Sequence, residues 1–138
     1  MRAVLDTNTV VSGLLWNGTP RSLLEFAQSS DLVVYSSAPM LSEFYRVLCY
    51  PKFSSKLMER KTTPAALLTL YAHFAVVVEP AEIPPVIVAD PDDDMVLACA
   101  IAAQANLIVS GDAHLLDLGA YQSIPIMNAK DALAYVAG

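Results

Sequence analysis

The sequence predicts an α/β protein whose parallel sheet is covered by helices on both faces. Three observations predict it. Strand-like and helix-like segments alternate along the chain. The strand-like segments are unbroken apolar runs, the pattern of strands buried on both sides. The length of 138 residues suits one domain spanning 1–138, large enough to bury a core without a metal or disulfide staple.

The elements follow in order. Arg2–Leu5 is a short aliphatic strand ending at Asp6. Val10–Trp16 is a short amphipathic segment, followed by a loop with Gly18 and Pro20. Ser22–Ser29 has helical spacing, with Leu23, Phe26 and Ala27 on one face. Leu32–Tyr35 is the second strand, and Ser36 or Ser37 caps a helix from about Pro39 to Cys49, stopped by Pro51. Residues 53–60 form a basic helical turn or two, and Pro64 starts a further helix. Ala75–Val78 is the third strand, and a Pro-rich acidic connection runs over 79–92. Asp93–Ala105 is a helix of small and aliphatic residues, expected to be buried on most sides. Leu107–Ser110 is the fourth strand, with Gly111, Asp112 and a short helix after it. Ile124–Met127 is the fifth, and Asn128 caps a last helix, Lys130–Val136.

Composition narrows the function classes. Apolar residues make up 55% of the chain and charged residues 16%, which excludes global disorder. Mean hydropathy is +0.47. Yet the longest apolar run, Met95–Ala103, is far short of the roughly 20 residues a membrane helix needs. Asp6 interrupts the opening segment before a signal-peptide core can form. A cytoplasmic protein without a membrane partner is expected. Cys49 and Cys99, each alone in apolar surroundings, are expected to be buried free thiols.

Net charge is −6, from eight Lys and Arg against fourteen Asp and Glu, which argues against a broad basic surface for nucleic acid. The charges are nonetheless segregated. Arg46, Lys52, Lys56, Arg60 and Lys61 crowd residues 46–61 against the single acid Glu59. Glu79, Glu82, Asp90, Asp92, Asp93 and Asp94 crowd residues 79–94 with no base. Solvated faces would explain both runs. A phosphate-binding flank beside a cation-binding centre would explain them together.

Sites in open parallel sheets form beyond the carboxyl ends of the strands. Asp6 directly follows strand one, and Asp112 follows strand four after Ser110 and Gly111. Asp also serves as a turn or cap residue. Glu43 lies at the margin of an apolar arc of Met40, Leu41, Phe44, Val47 and Leu48, so its carboxylate is partly desolvated and needs a partner or a metal. In Asp90-Pro91-Asp92-Asp93-Asp94, capping accounts for one carboxylate or two. A divalent cation would offset the mutual repulsion of the rest. Oxygen ligands of this kind suit Mg²⁺ or Mn²⁺ rather than Zn²⁺. Zinc, serine-nucleophile and Walker motifs are lacking. His73 and His114 stand apart from any His/Cys cluster and are expected to be structural or surface residues, and Trp16 is expected to pack.

These motifs resemble those of the PIN-domain nucleases. Val4-Leu5-Asp6-Thr7-Asn8 is similar to the first motif of that family, and Glu43 within Leu41-Ser42-Glu43-Phe44 to the second. Asp90-Pro91-Asp92-Asp93-Asp94, with Leu97 and Ala100, resembles the third. Leu107-Ile108-Val109-Ser110-Gly111-Asp112, backed by Leu115-Leu116, resembles the fourth. Order and spacing together are more specific than any one motif, and the resemblance covers nearly the whole chain. The nearest subgroup is that of bacterial and archaeal PIN proteins described as toxins of toxin–antitoxin pairs, relatives of the VapC toxins.

The resemblance implies a three-layer α/β/α fold with a parallel five-stranded sheet of order 3-2-1-4-5. It implies Mg²⁺- or Mn²⁺-dependent endoribonuclease activity on RNA. Carried over by motif, Asp6, Glu43, Asp93 and Asp112 are the metal-binding and catalytic acids. Asn8 and Ser110 would orient Asp6 and Asp112. The subgroup often has Asn where this chain has Asp94, and more often Thr at Ser110. Asp93 keeps the family's spacing to Leu97 and Ala100, with Asp94 or Asp90 as alternates. Arg46, Lys52, Lys56, Arg60 and Lys61 would hold flanking phosphates. A small antitoxin and a homodimer or higher oligomer are the implied partners, with Val10–Trp16 and Leu57–Leu70 as candidate interfaces.

Two other classes compete. A phosphotransfer or receiver-like domain also places acids at a parallel sheet edge. A dehalogenase-type phosphatase, however, would need Asp in place of Asn8, and a receiver would need paired acids after strand one. Lys130, after strand five, keeps a receiver analogy open. A non-catalytic PIN interaction protein would bind no divalent metal.

Overall fold

The computed structural model describes residues 1–138. Strand β1 (Arg2–Leu5) lies at the centre of the sheet, paired in parallel with β2 (Val33–Ser36) and β4 (Leu107–Val109). Strand β3 (Val76–Val77) extends the β2 side, and β6 (Ile124–Met127) the β4 side, both in parallel. The five parallel strands have the expected order. A sixth, β5 (Ala120–Tyr121), was not expected and pairs antiparallel with β6, giving β3-β2-β1-β4-β6-β5. Its turn puts Gln122 and Ser123 at φ 46° and 70°. Such hairpins are usually signalled by Asn or Gly, so the two-residue strand left no mark in the sequence.

Eight α-helices fill the connections: α1 (Thr7–Leu15), α2 (Thr19–Gln28), α3 (Ala38–Leu48), α4 (Ser54–Glu59), α5 (Pro64–Phe74), α6 (Pro91–Ala103), α7 (Ala113–Leu118) and α8 (Ala129–Ala137). Side chains alternate between the two faces of the sheet. Ala3, Leu5, Leu107 and Val109 enter one core with Val10, Leu15, Leu23, Phe44, Leu48 and Tyr71. Val4, Ile108 and Ile126 enter the other with Val96, Leu97, Ala100 and Leu115. Apolar matter on both faces is why the strands read as unbroken apolar runs. Helix α6 packs on β1, β2 and β4, and Val96–Ala100 are all buried, as its uniform composition requires. Each large aliphatic side chain sealed there contributes about 1.5–3 kcal/mol.

Most caps act locally. The Ser37 and Thr63 hydroxyls accept from the amides of Met40 and Ala66, and Asn128 accepts from Asp131. Three expectations are corrected. Pro20 is the second residue of α2, where its missing N–H costs nothing. Val10–Leu15 is largely core, with Trp16 exposed at its end. Cys99 is buried, but Cys49 is exposed because it caps the end of α3 beyond the packed turns. Helices α1 and α2 meet closely at Gly13. A Cβ there would lie 2.6 Å from Leu24 Cδ1 and 3.0 Å from the Pro20 carbonyl oxygen. No helix is long and apolar enough to cross a membrane.

Candidate metal centre

The order of the sheet reverses at β1, so connections diverge on either side of the β1/β4 pair and leave a cleft beyond their carboxyl ends. This cleft, of about 230 Å³, is lined by Asp6, Glu43, Asp93 and Asp112 together with Asn8 and Lys52. Four acids from distant parts of the chain thus converge.

Each is positioned by its own element. Asp6 terminates β1 and caps α1, its Oδ1 accepting the Thr9 amide at 2.9 Å. Its Oδ2 accepts the Ser110 hydroxyl at 2.5 Å. The same Ser110 oxygen accepts the Asp112 amide at 2.9 Å. Asp112 caps α7 through its Oδ1, which accepts from His114 and Leu115. Glu43, on α3, accepts the Thr7 hydroxyl. Asn8 is exposed at the cleft wall. Ser110 bridges Asp6 and Asp112, and Thr7 holds Glu43, a contact the motif reading missed.

The acidic run at α6 divides by helical rotation. Asp90 caps the helix, accepting the Asp92 amide at 3.1 Å, and Pro91 occupies the first turn. Asp92 lies at the edge of the cleft and pairs with Arg46 at 3.1 Å. Asp94 turns to the other side, where its two oxygens accept the amides of Val86 and Ile87 at 3.1 and 2.9 Å. Asp94, one of the two alternates to Asp93, does not line the cleft with the other acids. Asp90, Asp92 and Asp93 all line the cleft, but Asp93 alone of them is buried there. It is 8% exposed, and its Oδ2 is buried with no hydrogen-bond partner. Protein groups thus partner Asp90, Asp92 and Asp94, and the buried oxygen without a partner belongs to Asp93.

Electrostatics agree with this geometry. Burial, then the charges of Asp112 and Asp90, push the Asp93 carboxyl up to about 7. Burial also raises Glu43, against the Thr7 hydrogen bond that favours its charged form. Two cleft carboxyls that resist ionisation, Asp93 and Glu43, and a buried oxygen lacking a donor fit a divalent cation and its hard oxygen preference.

The bases separate into two groups. Lys52 lines the cleft, and Arg46 stands beside it, 3.9 Å from Glu43. Lys56 pairs with Glu59 and lies over the Trp16 ring, which packs edge-on against Phe53. Arg60 donates to the Leu15 carbonyl at the end of α1. Lys61 follows α4 with φ 54°. The basic run is therefore no continuous phosphate track. His114, expected to be an isolated surface residue, is half exposed with its Nδ1 3.6 Å from Asp112 Oδ1. Its place two positions after a capping acid was the available signal.

Fold and cleft define a class: α/β proteins with a carboxylate centre at the switch point of a parallel sheet. The PIN-domain family model matches residues 2–114, and the chain belongs to that family. PIN domains are generally nucleases. The crystal structure of FitAcB from Neisseria gonorrhoeae is similar in fold, with a TM-score of 0.52 and 20% identity, covering 93% of this chain and 98% of that one. No curated protein matches the chain.

Proposed function

We propose that this chain is a divalent-metal-dependent endoribonuclease, working in the cytoplasm as the toxin of a type II toxin–antitoxin pair, with residues 1–138 folded as a single PIN-like domain. The observation that carries the nuclease reading is the buried, partnerless Asp93 Oδ2 in a cleft shared with Asp6, Glu43 and Asp112. The toxin and antitoxin reading rests on the motif resemblance, as does self-association into a homodimer or higher oligomer.

Asp6, Glu43, Asp93 and Asp112 would hold Mg²⁺ or Mn²⁺. Bound there, the ion supplies a water of lowered pKa and stabilises charge on the phosphoryl oxygens. Ser110 keeps Asp6 and the start of α7 in register, and Thr7 fixes Glu43. Asp90 lines the cleft as well, with its Oδ1 engaged in capping α6. Lys52 and Arg46 are the bases placed to meet a flanking phosphate, in a weakly sequence-specific, salt-dependent contact. Lys130 is absent from the cleft lining, which removes the support for a receiver-like reading.

The test is cleavage of a mixed cellular RNA pool with Mn²⁺, with Mg²⁺ and with EDTA, beside Asp6→Asn. Asn keeps an acceptor for Thr9 and a partner for Ser110, so the variant should fold. Cleavage that requires both metal and Asp6 is expected. Full activity of Asp6→Asn would sink the assignment. Absence of metal binding by the folded, antitoxin-free chain would favour a non-catalytic interaction protein.

A further inference from the structure

We infer that His114 supplies an imidazole nitrogen to the divalent cation held by Asp93 and Asp112, which biases the centre toward Mn²⁺ over Mg²⁺. The inference rests on the metal-dependent reading above and adds a ligand that the acidic motifs do not contain.

Three observations carry it. Ligand atoms of Asp93, Asp112 and His114 all lie within 4.8 Å of one another. Around an octahedral ion with bonds near 2.1 Å, ligand atoms are separated by roughly 3 to 4.2 Å, so small side-chain rotations bring the three onto one ion. Second, the Asp112 cap fixes the start of α7, because its Oδ1 accepts the His114 amide at 2.8 Å. The imidazole lies on the same side as that carboxylate. The ring nitrogen stands 3.6 Å from Asp112 Oδ1, beyond hydrogen-bonding reach, so the carboxylate leaves it uncommitted. Third, the partnerless oxygen at this end of the cleft belongs to Asp93, which is 8% exposed. Its demand for a positive partner falls within the same group of three.

The consequence is selectivity. Mg²⁺ is held almost wholly by oxygen, whereas an imidazole nitrogen favours first-row transition ions. The chain has two histidines. The other, His73, lies on α5 with its Nδ1 2.8 Å from the Thr69 carbonyl. A histidine nitrogen on the ion therefore has two possible sources, and substitution separates them.

The experiment uses the untagged full chain and Mn²⁺ alone, with bound ion measured by electron paramagnetic resonance and nitrogen coupling by its pulsed form. Wild type and His73→Gln should bind Mn²⁺ and show imidazole nitrogen coupling. His114→Gln should lose the coupling and bind Mn²⁺ about tenfold more weakly, while its affinity for Mg²⁺, measured by competition, changes little. Bound Mn²⁺ without nitrogen coupling in wild type, or coupling that survives in His114→Gln, would overturn the role of His114 and leave the nuclease reading intact. Failure of the folded wild type to bind Mn²⁺ at all would overturn both.

Discussion

The hydroxyl of Ser110 donates to Asp6 Oδ2 at 2.5 Å across 104 positions of sequence, and the same oxygen accepts the Asp112 amide at 2.9 Å. One side chain thus ties the end of β1 to the start of α7. Ser110→Ala should lower Mn²⁺ affinity and RNA cleavage by roughly 10- to 100-fold, as loss of groups that orient metal ligands does. Ser110→Thr keeps the hydroxyl and should stay near wild type. Calorimetric Mn²⁺ titration of the two variants checks this, and equal affinity in both would refute it.

Asp93 makes the metal-free protein sensitive to pH. Its carboxyl is raised from 3.8 to about 7 in the fold. Between those values the folded chain holds a proton that the unfolded chain has released, so stability falls as pH rises. The loss from this group begins near pH 4 and is complete above about 7. Urea denaturation in EDTA should show the decline, Asp93→Asn should flatten it, and Mn²⁺ should oppose it at neutral pH. A profile unchanged by Asp93→Asn would contradict the assignment.

Asp94 should prove structural. Asp94→Ala strips the acceptors from the Val86 and Ile87 amides, at a cost of about 1–3 kcal/mol for partly buried donors. The number of bound Mn²⁺ ions should not change. Denaturation beside metal titration separates it from Asp93, whose replacement should do the reverse: weaken metal binding and spare the metal-free fold.

Gly13 sets the approach of α1 to α2. An added methyl meets Leu24 Cδ1 at 2.6 Å and the Pro20 carbonyl oxygen at 3.0 Å. Leu24 can rotate, but the backbone carbonyl cannot retreat freely. Gly13→Ala should therefore destabilise by about 1–3 kcal/mol, although Ala is the better helix former. Thermal unfolding that shows a higher midpoint would refute this.

Much of the fold was legible because its causes are local. The runs Arg2–Leu5 and Leu107–Val109 read as doubly buried strands because both faces carry apolar side chains. Asn128 was readable as a cap because it bonds an amide three residues on. Helix α6 was placed by its composition, with its start moved from Asp93 back to Pro91 and its end from Ala105 back to Ala103. The short β5 was not readable, since two residues pairing across a Gln122–Ser123 turn carry no periodicity.

By itself, the sequence determined the α/β class, the parallel sheet, the caps and which acids follow strand ends. Each is a matter of neighbours within a few positions, where backbone geometry and apolar spacing decide. Only the tertiary structure decided how the acids divide their work. Asp92, Asp93 and Asp94 are adjacent and chemically identical, yet one meets Arg46, one the amides of residues 86 and 87, and one a buried cleft without a donor. It likewise decided that Ser110 holds Asp6, that Thr7 holds Glu43 and that His114 stands within 4.8 Å of Asp93. A carboxylate's state depends on the donors, charges and solvent that surround it. Those surroundings come from elements far apart in the chain and exist only once the chain has folded.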